Sequence, residues 1–254
     1  MDKKQEIERE AFGPGLKLFT KLVDWVEKLN IRQSKVGNAP VFSNDTFPWA
    51  AELEREWPKI RAELEDVVAR REELPNFQDI SADVATITQD NNWKTFFLYG
   101  YGHRLDDNCA RCPETDRLLQ KIPGMKTAMF SILSPRKHIP AHRGPYNGVL
   151  RFHLGLIVPE PREQCRIRID ERIETWSEGK ALLFDDAFDH EVWNDTDGVR
   201  VVLFVDFLRP LRWPACWINR FMIWLAHYTP YIKDAIKNHN TWAKKYYGSK
   251  AAKA

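Results

Sequence analysis

Apolar residues in the first part of the chain recur at helical spacing. Leu16, Phe19, Leu22, Val23 and Val26 fall three and four residues apart, with lysines between them, which predicts a helix over residues 3–30. Gly13-Pro14-Gly15 breaks it into a short leading piece and a longer one. Such a helix either packs on a core or lies on a membrane surface. Residues 31–46 read as a polar loop. A second amphipathic pattern, Trp49, Leu53, Trp57, Ile60, Leu64 and Val67, predicts a helix over 46–71, which Pro58 is expected to kink or restart.

After a polar stretch at 75–92 the pattern changes. Residues 93–99, 126–133, 149–158, 166–170, 180–184 and 199–208 read as strands separated by Pro, Gly and Asp turns, with a short helix over 114–121. Consecutive strands without helices between them predict an antiparallel sandwich or jelly roll, mainly β with flanking α-helices. The expected organisation is a helical region at 1–74, a β domain at 75–210 and a C-terminal extension at 211–254. In that extension Trp217, Phe221, Trp224 and Tyr228 share one helical face, in an apolar run shorter than the ~20 residues of a membrane span. It closes the core in one reading and lies in a membrane interface, with its basic tail, in the other.

The 254 residues carry a net charge of only +2. From residue 211 onward, however, eight Lys or Arg face a single acid, Asp234, and the lysines include Lys233, Lys237, Lys244, Lys245, Lys250 and Lys253. That imbalance suits an anionic surface; no nucleic-acid recognition motif accompanies it. The opening MDKKQEIERE has no apolar export segment, so the expectation is cytoplasmic, peripheral on the inner membrane, with reduced thiols. Cys109 and Cys112 form a C-x-x-C pair without a second pair at zinc spacing, and are read as ordinary buried thiols.

The candidate chemistry lies between Ser131 and Pro210. In 149–158, Arg151, His153 and Gly155 share one face and Leu150, Phe152, Leu154 and Leu156 the other, so the polar face meets water or lines a polar cavity. In 199–208, Arg200 shares a face with Val202, Phe204 and Asp206; burying it is costly without an anion, and a carboxylate ligand satisfies it. His142 and His190, 48 residues apart, fit two rims of a jelly roll and suit ferrous iron. The carboxylate usual two residues after the first histidine is replaced by Gly144, so on these grounds alone the site is incomplete.

HRGPYNGVLRFHLGLIVP and FDDAFDHEVWNDTDGVRVVLFVD, with the W-x-E-G-K between them, resemble the core motifs of the aspartyl/asparaginyl β-hydroxylase family of 2-oxoglutarate-dependent iron dioxygenases. The resemblance covers about 93–210. It implies a double-stranded β-helix, with Fe(II) held by two histidines and no carboxylate, so that Gly144 fits. By position His142 and His190 would be the iron ligands and the catalytic centre. Arg200 would bind the distal carboxylate of 2-oxoglutarate, and Ser131, Arg151, His153 and Trp93 would contact this cosubstrate, with O2 as the oxidant. Asp185, Asp186 and Asp189 are expected to orient loops rather than to bind iron.

Tyr146 stands where the peptide hydroxylases of the family have threonine, and DFLRPLRWPACWINRF resembles the bacterial lipid A and ornithine-lipid hydroxylases. The expected substrate is therefore a lipid-linked acyl chain, hydroxylated at its 2-position at the cytoplasmic face of a membrane. The alternatives are a hydroxylase of Asp or Asn in a peptide or of a small metabolite, and a non-catalytic jelly-roll binding module.

Overall fold

The computed structural model describes residues 14–226 and, beyond them, 228, 234–235, 237–239 and 241–243. Its strands form two antiparallel sheets. The larger runs β1 (Val41–Phe42), β9 (Ala181–Phe184), β6 (Val149–Ile157), β11 (Arg200–Leu208), β4 (Met125–Leu133), β2 (Trp93–Gly100), β3 (His103–Arg104). The smaller runs β5 (Lys137–His142), β10 (His190–Asn194), β7 (Cys165–Ile169), β8 (Arg172–Thr175). The helices are α1 (Pro14–Gln33), α2 (Trp49–Val68), α3 (Phe77–Ile80), α4 (Asp106–Cys109), α5 (Pro113–Leu119) and α6 (Ala215–Ala226). This is the expected double-stranded β-helix with helices flanking it.

Strand alternation divides the interior into two apolar layers. Leu150, Phe152, Leu154 and Leu156 of β6, with Val201, Leu203, Val205 and Phe207 of β11, face outward onto α2. Their neighbours Val202 and Phe204 face inward and pack with Ile139, Ile167, Ile169 and Val192 of the smaller sheet. The larger sheet is thus buried on both faces, and polar groups on its inner face are enclosed between the sheets.

α2 runs as one helix through Pro58, where a kink or a restart was expected, so the helix does not restart there. A proline inside a helix costs about 3 kcal/mol. Leu53, Ile60 and Leu64 on the same helix are wholly buried, worth roughly 1.5–3 kcal/mol each, and tertiary packing outweighs the local penalty.

Other expectations shift. β5, β8 and β10, and the two-residue β1 and β3, did not stand out in the pattern. β5 carries Pro140 and has Ile139 as its one buried apolar residue, and it is a strand because β10 pairs with it. The polar stretch 75–92 contains α3 and a 3-10 turn at Ala82–Thr86. The helix expected over 3–30 is described from Pro14 and ends at Gln33; its leading piece lies outside the described residues.

α1 and α6 pack against each other at one end of the molecule. The chain joins them through Lys35 N–H to Pro210 O (2.9 Å) and Arg212 N–H to Gln33 O (2.9 Å). α6 therefore closes the domain through its buried Ala215 and Asn219, while its aromatic face points away from the core. Part of the tail packs inward: Ala235 and His239 are buried, and Trp242 Nε1 donates to Glu73 O (3.2 Å). Lys233, Lys244, Lys245, Lys250 and Lys253 lie outside the described residues. No described helix is long and apolar enough to cross a membrane.

Candidate active site

β5 and β10 are neighbours in the smaller sheet, and their register sets His142 directly opposite His190. The ring centroids are 4.2 Å apart. His142 Nδ1 is 2.8 Å from Pro140 O and His190 Nδ1 is 3.0 Å from Phe188 O. A carbonyl oxygen only accepts, so each ring carries its proton on Nδ1 and leaves the Nε2 lone pair for a ligand. Burial lowers the pKa of both, that of His190 to about 3, helped by the charges of His142 and Arg151. Two neutral imidazoles side by side, each oriented by a backbone carbonyl, form a donor pair for a transition metal. Among the described residues no third His, Cys, Asp or Glu completes a metal-binding cluster with them.

A second set of groups lies deeper, on the inner faces of the adjacent strands β4, β11 and β6. Arg200 is fully buried with its Nε and Nη1 unpartnered, its guanidinium 4.6 Å above the Trp176 ring. Burial lowers its pKa to about 10, which leaves it cationic near neutrality. Trp176 Nε1 donates to His153 Nδ1 (3.3 Å), so the neutral ring of His153 carries its proton on Nε2, which is also unpartnered. Burial first, then the charge of Arg200, holds His153 neutral. Ser131 Oγ accepts from Trp93 Nε1 (3.0 Å) and keeps its own proton to donate. A buried cation and buried N–H groups left without acceptors are costly, and a carboxylate satisfies all of them.

Arg151 differs from this set. Its Nη2 is 2.8 Å from Asp186 Oδ2, its Nε donates to Asp206 Oδ1 (2.8 Å), and its guanidinium stacks 4.2 Å over Phe204. Burial opposes its charge, but the two aspartates outweigh burial. Where a direct cosubstrate contact was expected, Arg151 is bound to two carboxylates and fixes Asp186. Asp186 in turn explains Gly144: a Cβ there would stand 2.2 Å from Asp186 Oδ2. Asp185 accepts from Arg209 and from Ala187 N–H, and Asp189 from Arg168. All three aspartates thus hold loops and side chains, as expected.

A cavity of about 380 Å³ opens at His142, the more exposed of the two histidines. His142, Arg143, Arg151 and Asp206 form its polar side; Phe77, Val84, Ile87, Trp93, Phe97 and Phe204 form an apolar wall. Trp93 both lines this cavity and donates to the buried Ser131.

Sequence reasoning singled out both histidines, Ser131, His153, Arg200 and Trp93, and the fold brings them together. It missed Trp176, although the W-x-E-G-K motif contains it. Gly155 lets the Trp176 segment in, because a Cβ there would stand 2.2 Å from Ser177 O. It also missed the apolar wall from 77–87, which has no motif. The cysteine pair is buried, with Cys109 Sγ donating to Leu98 O (3.2 Å), as an ordinary pair of core thiols.

Fold and site together define a jelly-roll protein in which a histidine pair lies beside a buried arginine with unpartnered donors. The family model for aspartyl/asparaginyl beta-hydroxylase matches residues 54–210, and the chain belongs to that family of hydroxylases. An ornithine lipid ester-linked acyl 2-hydroxylase of Rhizobium tropici is 56% identical over 236 residues, 93% of this chain and 84% of that protein. The human aspartyl/asparaginyl beta-hydroxylase is 37% identical over 163 residues, 62% of this chain and 21% of its own length. A Pseudomonas putida prolyl-4-hydroxylase structure overlaps 63% of this chain and 98% of its own, at 18% identity and a TM-score of 0.41.

Proposed function

We propose that this protein is an Fe(II)- and 2-oxoglutarate-dependent dioxygenase that hydroxylates the 2-position of a lipid-linked fatty acyl chain at the cytoplasmic face of a membrane. The observation that carries the cofactor assignment is the pairing of free Nε2 lone pairs on His142 and His190 with unpartnered donors on Arg200 and His153. The histidines would hold the iron. Arg200, His153 and Ser131 would receive a carboxylate of 2-oxoglutarate. Bound iron, with this cosubstrate and O2, supplies the oxidising power needed to hydroxylate an unactivated C–H bond.

The chain's own residues supply binding, orientation and exclusion of water. Pro140 O and Phe188 O fix the tautomers of the two ligands. Trp176 fixes His153 as a donor and covers one face of Arg200. Trp93 lines the cavity and donates to Ser131. Phe77, Val84, Ile87 and Phe97 offer an acyl chain an apolar wall beside His142, and the likeness to the R. tropici lipid hydroxylase supports that class of substrate.

The test is to compare lipid extracts of a bacterial host expressing the protein or its His142→Ala variant, with succinate formation followed on the purified enzyme. The expected outcome is a lipid heavier by one oxygen, only with the intact histidine. Unchanged lipids with both proteins folded would transfer the assignment to peptides or small metabolites. Absence of iron-dependent succinate formation with every class of substrate would leave a binding module.

A further inference from the structure

The large hydrophobic side chains exposed among the described residues are not scattered. All except Ile173 lie on α1, on α6 or in the turns beside them. α1 presents Leu18 (71% exposed), Phe19, Leu22, Trp25 and Ile31. Trp213 (76% exposed), Trp217 (62%), Phe221, Trp224 and Tyr228 follow in and around α6, the last three in ring contact with one another. Because the two helices pack together, these side chains form one apolar and aromatic platform, and such a patch marks an interaction surface.

Its setting selects the partner. Lys21, Lys28, Arg32, Arg212 and Arg220 are exposed on or beside the two helices. Beneath Trp224 and Tyr228 lies a groove of about 390 Å³ lined by Lys126, Arg220 and His103 with Leu208 and Ile223, and among the described residues no acidic one lines it. Burial and the charge of Arg220 pull the Lys126 amine below its usual pKa, the opposite of what an acidic partner would do. Lys126 and Arg220 side by side in one groove, capped by interfacial aromatics, suit a phosphate headgroup whose acyl chains continue into an apolar phase.

The platform is also tied to the active site. Glu27 of α1 accepts from Arg143 Nη2 (3.2 Å) and Asn147 N–H (3.1 Å), and Asn30 donates to Tyr146 OH (3.1 Å). From α6, Asn219 accepts from Tyr146 OH (2.8 Å) and donates to Gly148 O (2.8 Å). Both helices thus grip the loop that follows His142. A groove bordered by Lys28 and Ile31 of α1 reaches Arg143, which also lines the cavity at His142.

We infer that α1 and α6 form a docking platform for an anionic bilayer, with the Lys126–Arg220 groove taking a phospholipid headgroup and the loop of residues 143–148 holding the active-site mouth to the membrane. This deepens the lipid-hydroxylase reading, but the docking itself stands on the surface alone.

The experiment is flotation of the purified full chain with vesicles of phosphatidylglycerol and phosphatidylcholine, or of phosphatidylcholine only, alongside sedimentation velocity. The wild type is expected to float with the phosphatidylglycerol vesicles. Trp217→Glu with Phe221→Glu should cut binding at least tenfold, and Lys126→Gln with Arg220→Gln should remove the preference for the anionic lipid. The Glu variant should still hydroxylate detergent-dispersed lipid while losing activity on vesicles. A wild type that floats with neither vesicle, Glu variants that bind as well as the wild type, or a dimer dissociated by the Glu substitutions, with no vesicle binding, would each overturn the docking proposal. Flotation without hydroxylation of any lipid would instead defeat the proposed function and leave the docking intact.

Discussion

At the scale of single residues, burial leaves Arg200 with Nε and Nη1 unpartnered, and the proposed function gives those donors a carboxylate to bind. Arg200→Ala should raise the KM for 2-oxoglutarate about 10–100-fold, as expected for losing hydrogen bonds from a charged group worth ~1.5–3 kcal/mol, measured by succinate formation. Trp176→Phe keeps a ring under Arg200 but frees His153 from its tautomer, and a several-fold rise in the same KM is expected. Gly144→Asp tests the two-histidine reading. The new carboxylate would collide with Asp186 and destabilise the fold by about 1–3 kcal/mol without tightening iron binding. Tighter iron binding on an intact fold, by titration and thermal denaturation, would contradict that view. Burial, followed by the charge of Asp116, raises the Cys109 thiol to about 12, and burial followed by Glu63 does the same for Cys112. A thiol reagent at pH 8 should therefore reach the half-buried Cys216 in the native protein and the other three only after denaturation.

At the scale of elements, packing overrides local preference. α2 keeps Pro58 because three buried side chains hold it to the sheet. α5 is fastened through Asp116, which accepts from Tyr99 OH (2.5 Å), Arg104 Nη2 (2.8 Å) and Gln120 Nε2 (3.1 Å). Burial alone would raise this carboxyl, but the hydrogen bonds from Arg104, Tyr99 and Gln120 outweigh it and the folded pKa is lowered. A carboxyl depressed on folding contributes stability above its unfolded pKa, about 3.9, and that contribution disappears as pH falls through the folded value. Asp116→Asn should accordingly flatten the acid limb of the stability curve below about pH 4, as read by urea denaturation across pH 3–6.

At the scale of the whole molecule, the two-sheet fold separates an outer apolar layer from an inner one that encloses a few polar groups. Arg151 and Asp206 meet because β6 and β11 are neighbours, with these two residues opposite each other. His142 and His190 meet because β5 and β10 pair, although neither strand has a continuous apolar pattern. α1 and α6 pack together and both hydrogen-bond the loop that follows the first histidine, so the exposed aromatic surface and that loop form one unit.

The fold class, most strands, the two facing histidines and the neighbouring Ser131, His153 and Arg200 were legible in the chain, because alternation records which face of a strand is shared and the motifs record spacing. Arg200 and Asp206 could be placed on one face of β11 from alternation alone, though not on its inner face, since both faces of the strand are apolar. The partners of these groups could not. Trp176 beneath Arg200, Asp186 and Asp206 on Arg151, and Asp186 filling the space beside Gly144 depend on strand order and register, which pair residues tens of positions apart. The aromatic face of α6 had the same periodicity whether it was to be core or surface. The tertiary structure settled that by packing α6 through Ala215 and Asn219, because a helix buries the side that finds a complementary surface and leaves the other exposed.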